Sequence, residues 1–167
     1  MQVEIISQFT LSVSEVFENM LACSVQLSQD KSQETESGGP EVIGVIGLSG
    51  TAQAVIAVRF SPEAARNAVG RMVGCTFESV DDSVTDGVGE LINMIVGNAK
   101  VKLESHSLTM GLPSVFLGSL CKVNTPPRVN WVDLPFTCEL GSFNLAIAFR
   151  AIAPNEKEAN RVNSYSR

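Results

Sequence analysis

The sequence has few of the side chains from which metal sites and hydrolytic active sites are usually built. Its 167 residues include one histidine, His106, and four cysteines, no two of which form a C-x-x-C pair. A zinc site of histidine and cysteine is therefore not expected, and a Ser-His-Asp triad would have one imidazole to use. We interpret the cysteines as reduced, mostly buried thiols, with a redox role as the less favoured alternative. They are Cys23, Cys75, Cys121 and Cys138.

Basic side chains and long apolar runs are scarce as well. Twelve basic and eighteen acidic residues give a net charge of -6. Nucleic-acid binding rests on Lys and Arg neutralising phosphates, so nucleic acid is not an expected partner. Because there is no apolar run of about eighteen residues and no signal-peptide pattern at the N-terminus, we expect a cytoplasmic protein without a membrane span.

The composition and the polar stretches indicate how the chain is organised. With 44% hydrophobic and 18% charged residues, it suits one compact domain, which we place at residues 1–152. Residues 28–40 contain no large apolar side chain and are predicted to form a polar connecting loop. Residues 153–167 are predicted to be a loose polar tail.

Hydrophobic spacing predicts two units, each a helix followed by a β-hairpin, with a short helix between them. The pattern also predicts a strand broken at Pro113, which cannot donate to a ladder. The predicted elements are a helix at 9–27, a hairpin turning at Ser49–Gly50, a helix bounded by Ser61, Pro62 and Gly74, a helix from a cap at 81–83 to about Leu103, and a hairpin turning near Gly141.

Two local matches suggest that the units arose by duplication. The segment GTAQAVIAVRF at 50–60 resembles GSFNLAIAFRA at 141–151, with Gly, Ile-Ala and Arg in register. Likewise VFENML at 16–21 resembles ELINMI at 90–95, which places Asn19 against Asn93 and Val16 against Glu90. A site at Glu90 and Asn93 would therefore have a degenerate second copy at Asn19, without its carboxylate.

The segment DGVGELINMIVGNAK, residues 86–100, carries a polar stripe along a predicted helix. At about 100° per residue, an apolar band docks the helix on the domain and the stripe lies on the opposite face. The apolar band comprises Val84, Val88, Leu91, Ile92, Ile95 and Ala99. The polar stripe comprises Asp86, Glu90, Asn93, Gly97, Lys100 and Glu104, and Met94 flanks it.

Three glycines make this more than an ordinary solvated helix face, which is the alternative reading. Each interior glycine costs roughly 0.5–1 kcal/mol relative to alanine. Gly87 and Gly89 have a possible use in packing on the domain itself. Gly97 lies within the stripe, where it would let another backbone approach.

The stripe offers chemistry only in combination with a second molecule. A carboxamide holds a donor and an acceptor in one plane, so Asn93 can orient a water without changing its own charge. A carboxylate such as Glu90 can pair with a lysine or act as a base. These two side chains need another protein's site that already holds a phosphate and its metal.

At this point the residues resemble a known family. DGVGELINMIVGNAK is similar to the Glu-x-x-Asn signature of the CheC/CheX/FliY family of chemotaxis phosphatases, and LTMGLPSV after it and SEVFENML in the first helix also resemble that family. One intact motif beside a degenerate one is closer to CheX than to CheC. The likeness spans residues 5–152.

The resemblance implies an α/β (α+β) fold with an extended antiparallel sheet and two long helices on one face. It further implies two-component chemotaxis signalling, in which the protein dephosphorylates a CheY-like response regulator. In that case Asn93 positions the attacking water and Glu90 anchors the regulator. Asp86, Met94, Gly97 and Lys100 are the candidate partner contacts. The Mg²⁺ would belong to the regulator, the protein would need no cofactor or metal of its own, and it would form a homodimer through its sheet.

Two alternatives to a phosphatase stay open. A docking module for a regulator or a flagellar or chemotaxis component would show the same stripe without hydrolysing anything. An independent small-molecule enzyme is less favoured, because the sequence has no phosphate-binding glycine loop, metal cluster or nucleotide fingerprint. Lys100 also has two readings, as a partner contact or as a pair with Glu104.

Overall fold

The computed structural model describes residues 2–29, 40–103, 107–118 and 130–151. Most of the predicted 28–40 loop and all of the 153–167 tail lie outside these residues, as do Cys121 and His106. The described elements are α1 (Gln2–Leu21), β1 (Gln26–Leu27), β2 (Glu41–Ser49), β3 (Ala52–Phe60), α2 (Pro62–Val73), α3 (Asp82–Lys102), β4 (Thr109–Met110), β5 (Ser114–Gly118), β6 (Asn130–Cys138) and β7 (Gly141–Ala151).

The strands form one antiparallel sheet whose two halves are arranged symmetrically. The order is β1-β6-β7-β3-β2, and β4 and β5 both pair with β2 at the far edge. At the centre, Ile56 of β3 pairs with Ile147 of β7. These are the residues that the predicted repeat places in register, so a pseudo-two-fold axis passes between them. The axis exchanges β3 with β7, β2 with β6, and β1 with the β4–β5 edge.

The long helices α1 and α3 pack beside each other on one face of this sheet. Every residue of the predicted apolar band on α3 is 0% exposed, which confirms that this band docks the helix. Asp81 caps α3 by accepting a hydrogen bond from the Val84 amide at 3.1 Å. The mixed α+β architecture agrees with the predicted fold class.

The two hairpins and the short helix were predicted correctly. Ser61 caps α2 by accepting a hydrogen bond from the Ala64 amide, and Pro62 is its first residue. Gly74 ends α2 in the left-handed conformation that favours glycine, with φ of 75°. Pro113 lies between β4 and β5, as the broken-strand prediction required.

The prediction of a helix over 9–27 is wrong at both ends. The helix α1 begins at Gln2 and ends at Leu21. Ala22 has a positive φ of 46°, which stops helical geometry. Gln26 and Leu27 instead pair with Thr137 and Phe136 of β6. Leu27 fits the apolar spacing of the helix only by chance, because it lies in the edge strand β1.

The described cysteines fit the thiol prediction in part. Cys23, Cys75 and Cys138 are all free. Cys23 is buried and Cys138 half-buried, but Cys75 is exposed, so burial was wrongly predicted there. Burial raises the pKa of the Cys138 thiol to about 11. A thiol with so high a pKa is almost entirely protonated near neutrality and is a poor nucleophile.

Gly87 of α3 is required by the packing of α2. A Cβ atom added at Gly87 would lie 2.7 Å from Cγ2 of Val69, a side chain that is itself fully buried. The valine is branched at Cβ and stiff, so it cannot swing away. This glycine therefore serves the contact between two helices of the same chain.

We expect Gly87→Ala to lower the free energy of unfolding by about 1–3 kcal/mol, the usual cost of overpacking a core. Gly97→Ala is the matched control, since a Cβ there meets nothing within 4 Å. It should leave stability unchanged or raise it by up to about 1 kcal/mol through helix propensity. Chemical denaturation measures both, and Val69→Ala should reduce the cost of Gly87→Ala. Equal effects of the two alanines would contradict this assignment.

Candidate functional site

The polar stripe of α3 lies on the side of the helix away from the sheet. Asp86 and Glu90 are exposed, and Asn93, Gly97 and Lys100 are half-buried. Met94 is partly buried and packs against the core. Glu104 lies outside the described residues, so the two readings of Lys100 both stand.

The side chains of Glu90 and Asn93 make no hydrogen bond or ion pair with any other described residue. They are one helical turn apart and share one face of α3. A carboxylate and a carboxamide at this spacing, with no partner in the described part of the chain, are both able to contact another molecule.

The glycines of α3 divide into two kinds. Gly87 accommodates Val69, and a Cβ at Gly89 would make ordinary contact with Val115 of β5 at 3.5 Å. A Cβ at Gly97 would meet nothing within 4 Å. Packing among the described residues therefore accounts for Gly87 and leaves Gly97, the one within the stripe, without a structural reason.

A polar cluster that the sequence patterns did not indicate joins α3 to α1. Asn98 donates a hydrogen bond to Glu15 at 2.7 Å, and Lys102 donates to Asn98 Oδ1 at 2.8 Å. Lys102 also forms an ion pair with Glu15. The Lys102 and Asn98 hydrogen bonds hold the pKa of the Glu15 carboxyl below its ordinary value of 4.5. The only sign of this cluster in the sequence is the i, i+4 spacing of Asn98 and Lys102. That spacing does not show that Glu15 of α1 is their partner.

The Glu15 carboxylate should stabilise the fold at neutral pH and lose that effect in acid. Its pKa is lowered in the folded state, so the contribution is present above the unfolded-state value of 4.5 and disappears as the pH falls through the lower folded-state value. We expect Glu15→Gln to be less stable than wild type at pH 7, with the difference shrinking below pH about 4. Urea denaturation across pH 2–7 measures it. The exposed Glu18→Gln on the same helix is the control, and a difference independent of pH would contradict the linkage.

The counterpart predicted on α1 does not have equivalent surroundings. Asn19 is exposed on α1. Val16, which the alignment places against Glu90, is 6% exposed and belongs to the core. Glu90 is exposed, so the two aligned positions face opposite environments. Introducing a carboxylate at Val16 would bury a charge and would not recreate the stripe.

A cavity of roughly 500 Å³ lies away from the stripe, at the C-terminal end of α2. Its two arginines are engaged: Arg66 donates to the Phe77 and Glu78 carbonyls, and Arg71 donates to the Leu21 carbonyl and to Glu139. These contacts brace α2 against the neighbouring loops. We assign the cavity no chemistry.

The described residues show neither a metal site nor a bilayer-spanning helix. Within them, no three His, Cys, Asp or Glu side chains come together as a metal-binding group. No helix in the described ranges is long and apolar enough to cross a membrane. The stripe therefore has no neighbouring metal-binding cluster in this part of the chain.

Solved structures share this arrangement of sheet and helices. A chemotaxis protein CheX from Vibrio vulnificus is 23% identical, with a TM-score of 0.75 over 87% of this chain and 96% of that one. A CheC-like superfamily protein from Shewanella sp. PV-4 is 26% identical, with a TM-score of 0.74 over 90% and 99% of the two chains. CheX in a CheX-CheY-BeF3-Mg complex from Borrelia burgdorferi is 20% identical, with a TM-score of 0.69 over 87% and 97%.

These comparisons show that the chain has the fold of CheX and CheC-like proteins. The family model described as chemotaxis phosphatase CheX matches residues 42–137, more than half of the chain. The chain belongs to the CheX family. No curated protein matched the sequence at the significance required.

Proposed function

We propose that this protein dephosphorylates a phosphorylated CheY-like response regulator in chemotaxis signalling. The observation that carries the proposal is the pair Glu90 and Asn93, one turn apart on the outer face of α3 and without a partner among the described residues. Membership of a family described as chemotaxis phosphatase supports it. So does the Borrelia burgdorferi neighbour, which was solved in complex with CheY, BeF3 and Mg²⁺.

In this proposal the two side chains have different roles. Asn93 orients a water in line with the aspartyl phosphate, its amide oxygen accepting a hydrogen bond from the water. Glu90 pairs with a basic side chain of the regulator and so fixes the register of the complex. Phosphoryl transfer depends on positioning and electrostatic stabilisation, so a helix that supplies a carboxamide and an anchor is sufficient.

The other half of the site belongs to the regulator. In this proposal the regulator supplies the phosphoryl group and the Mg²⁺ that would neutralise its charge, and no metal ligand is required from this chain. Gly97, where a Cβ atom would meet nothing within 4 Å, leaves room for a regulator backbone next to Asn93. Asp86, Met94 and Lys100 complete the contact surface. The proposal implies a cytoplasmic protein.

Substitution of each member of the pair should separate catalysis from binding. A CheY-like receiver phosphorylated by a small phosphodonor should lose its phosphate faster when this protein is added. We expect Asn93→Ala to reduce the maximal rate by about a hundredfold or more, because the water loses its orientation, while binding is kept. Glu90→Ala should act mainly by weakening binding. Phosphate release and binding to the receiver with BeF3 and Mg²⁺ bound measure the two effects.

Asn19→Ala is the matched control, since it removes an exposed asparagine from the other long helix. It should behave like wild type. If wild type binds the receiver without accelerating phosphate loss, the docking-module alternative replaces the phosphatase. If both the Asn93 and Glu90 variants act like wild type, the stripe is only a solvated helix face.

We further propose that two copies associate through the helix-free face of the sheet. On that face Ile43, Ala57 and Ala146 form a small apolar cluster separate from the main core. Beside it Val55 is 45% exposed and Phe116 is 57% exposed. A sheet face with small and apolar side chains suits sheet-on-sheet packing.

Val55→Arg should convert a dimer to a monomer, because it places a charge in the centre of this face. Sedimentation velocity measures the change over a range of protein concentrations. Thermal unfolding of the variant checks that the fold survives. Val73→Arg, at an exposed valine of α2, is the control and should stay dimeric. A wild-type protein that is monomeric at every concentration overturns this part of the proposal.

A further inference from the structure

The edge of the sheet next to α3 contains a β-bulge. Strand β4 pairs with β2 through Met110 and Leu48, and β5 pairs with β2 through Ser114 and Val45. Between these pairs β2 advances by three residues and its partner by four, so one extra residue is accommodated at Gly111–Pro113. Bulges of this kind are enriched at sheet edges and beside active sites, where they redirect a side chain.

The side chain at the bulge is Leu112, which is 90% exposed, the highest value among the large hydrophobic side chains described. It is held on both sides. The Gly111 amide donates to the Gly47 carbonyl at 2.9 Å, and Pro113 restricts its own φ. Because the Leu112 side chain is exposed, its burial contributes little to the stability of the fold. A preordered apolar side chain loses little entropy when it is buried by a partner.

The position of the bulge along α3 follows from two contacts. A Cβ at Gly44 would lie 3.3 Å from Val88 and from Ile92, so the start of β2 underlies that part of α3. Gly50, at the other end of β2, lies against Ser107, just beyond the end of α3. The strand and the helix therefore run in the same direction.

From Gly44 to Gly47 the strand advances about 10 Å, which corresponds to roughly six to seven residues of helix. An advance of about six to seven residues from the midpoint of Val88 and Ile92 on α3 reaches the level of Gly97. Leu112 is opposite this part of β2 in the sheet, so the bulge and Gly97 lie at the same height along α3.

The side of α3 that faces the β4–β5 edge of the sheet also carries Asn93. A Cβ at Gly89 would lie 3.5 Å from Val115, so this side of the helix is next to β5. Asn93 and Lys100 follow Gly89 at i+4 and i+11 on the same side of the helix. Asn93 is thus on the flank of α3 next to the β4–β5 edge. The bulge belongs to the same β4–β5 edge, so we infer that it lies beside the stripe.

We propose that Leu112 is an apolar anchor for the same phosphorylated receiver that meets Glu90 and Asn93. This inference rests on the proposed function and deepens it. The receiver would have to present an apolar surface next to its aspartyl phosphate, which covers Leu112 as its backbone passes Gly97. Recognition then combines a charged contact at Glu90 with an apolar one at Leu112, and the two flank the asparagine that handles the water.

The experiment compares binding with catalysis in the full-length protein. A labelled CheY-like receiver carrying BeF3 and Mg²⁺ is titrated with wild type, Leu112→Ala, Leu112→Asp and Leu112→Met. We expect Kd to rise about tenfold for alanine, the loss of one buried leucine side chain. Aspartate should raise Kd further, and methionine should stay close to wild type. At saturating protein the rate of phosphate loss should stay unchanged, because Leu112 does not touch the reacting atoms.

Val73→Ala is the control, since it truncates an exposed aliphatic side chain on α2, 56% exposed and away from the stripe. Thermal unfolding should be the same for all the Leu112 variants. If Leu112→Asp binds like wild type while Asn93→Ala loses catalysis, the anchor is overturned and the proposed function stands. A fall in the saturated rate with unchanged Kd also overturns it. If wild type binds no receiver, both ideas fail together.

Discussion

The docking of α3 on the sheet is the contact on which the rest of this structure depends. Seven apolar side chains of the helix are fully buried, and Gly44 of β2 lets Val88 and Ile92 approach the sheet closely. Burial of this band offsets the helix propensity lost at three glycines. It also fixes the rotation of the helix, so that Glu90 and Asn93 lie on the opposite side. The arrangement of the site is thus a consequence of core packing.

Much of this was readable in the sequence, because the signals were local or periodic. The caps at Ser61, Pro62 and Gly74, the apolar band of α3 and both hairpins depend on residues near one another in the chain. The match between residues 50–60 and 141–151 agrees with the symmetry of the sheet, in which Ile56 and Ile147 pair. Local chemistry and internal symmetry pointed to the same architecture.

What could not be read depended on contacts between distant segments. The end of α1 is set by Ala22 and by pairing of Gln26 with β6, and spacing alone extended the helix past it. The cluster of Glu15, Asn98 and Lys102 needed the two helices to be placed side by side. The bulge at Leu112 needed the register of β2. Val16 seemed a lost carboxylate in the alignment, whereas its burial shows that the position serves the core.

The pseudo-two-fold axis between β3 and β7 has a consequence for how such a chain can originate. Antiparallel pairing of Ile56 with Ile147 is a contact between two related strands. A chain with only one helix-and-hairpin unit would expose that strand as an open edge, and a second identical chain could cover it. Joining the units in one chain makes the encounter intramolecular and independent of concentration. It also releases the two copies from identity, so that one helix can become scaffold while the other keeps a surface for partners.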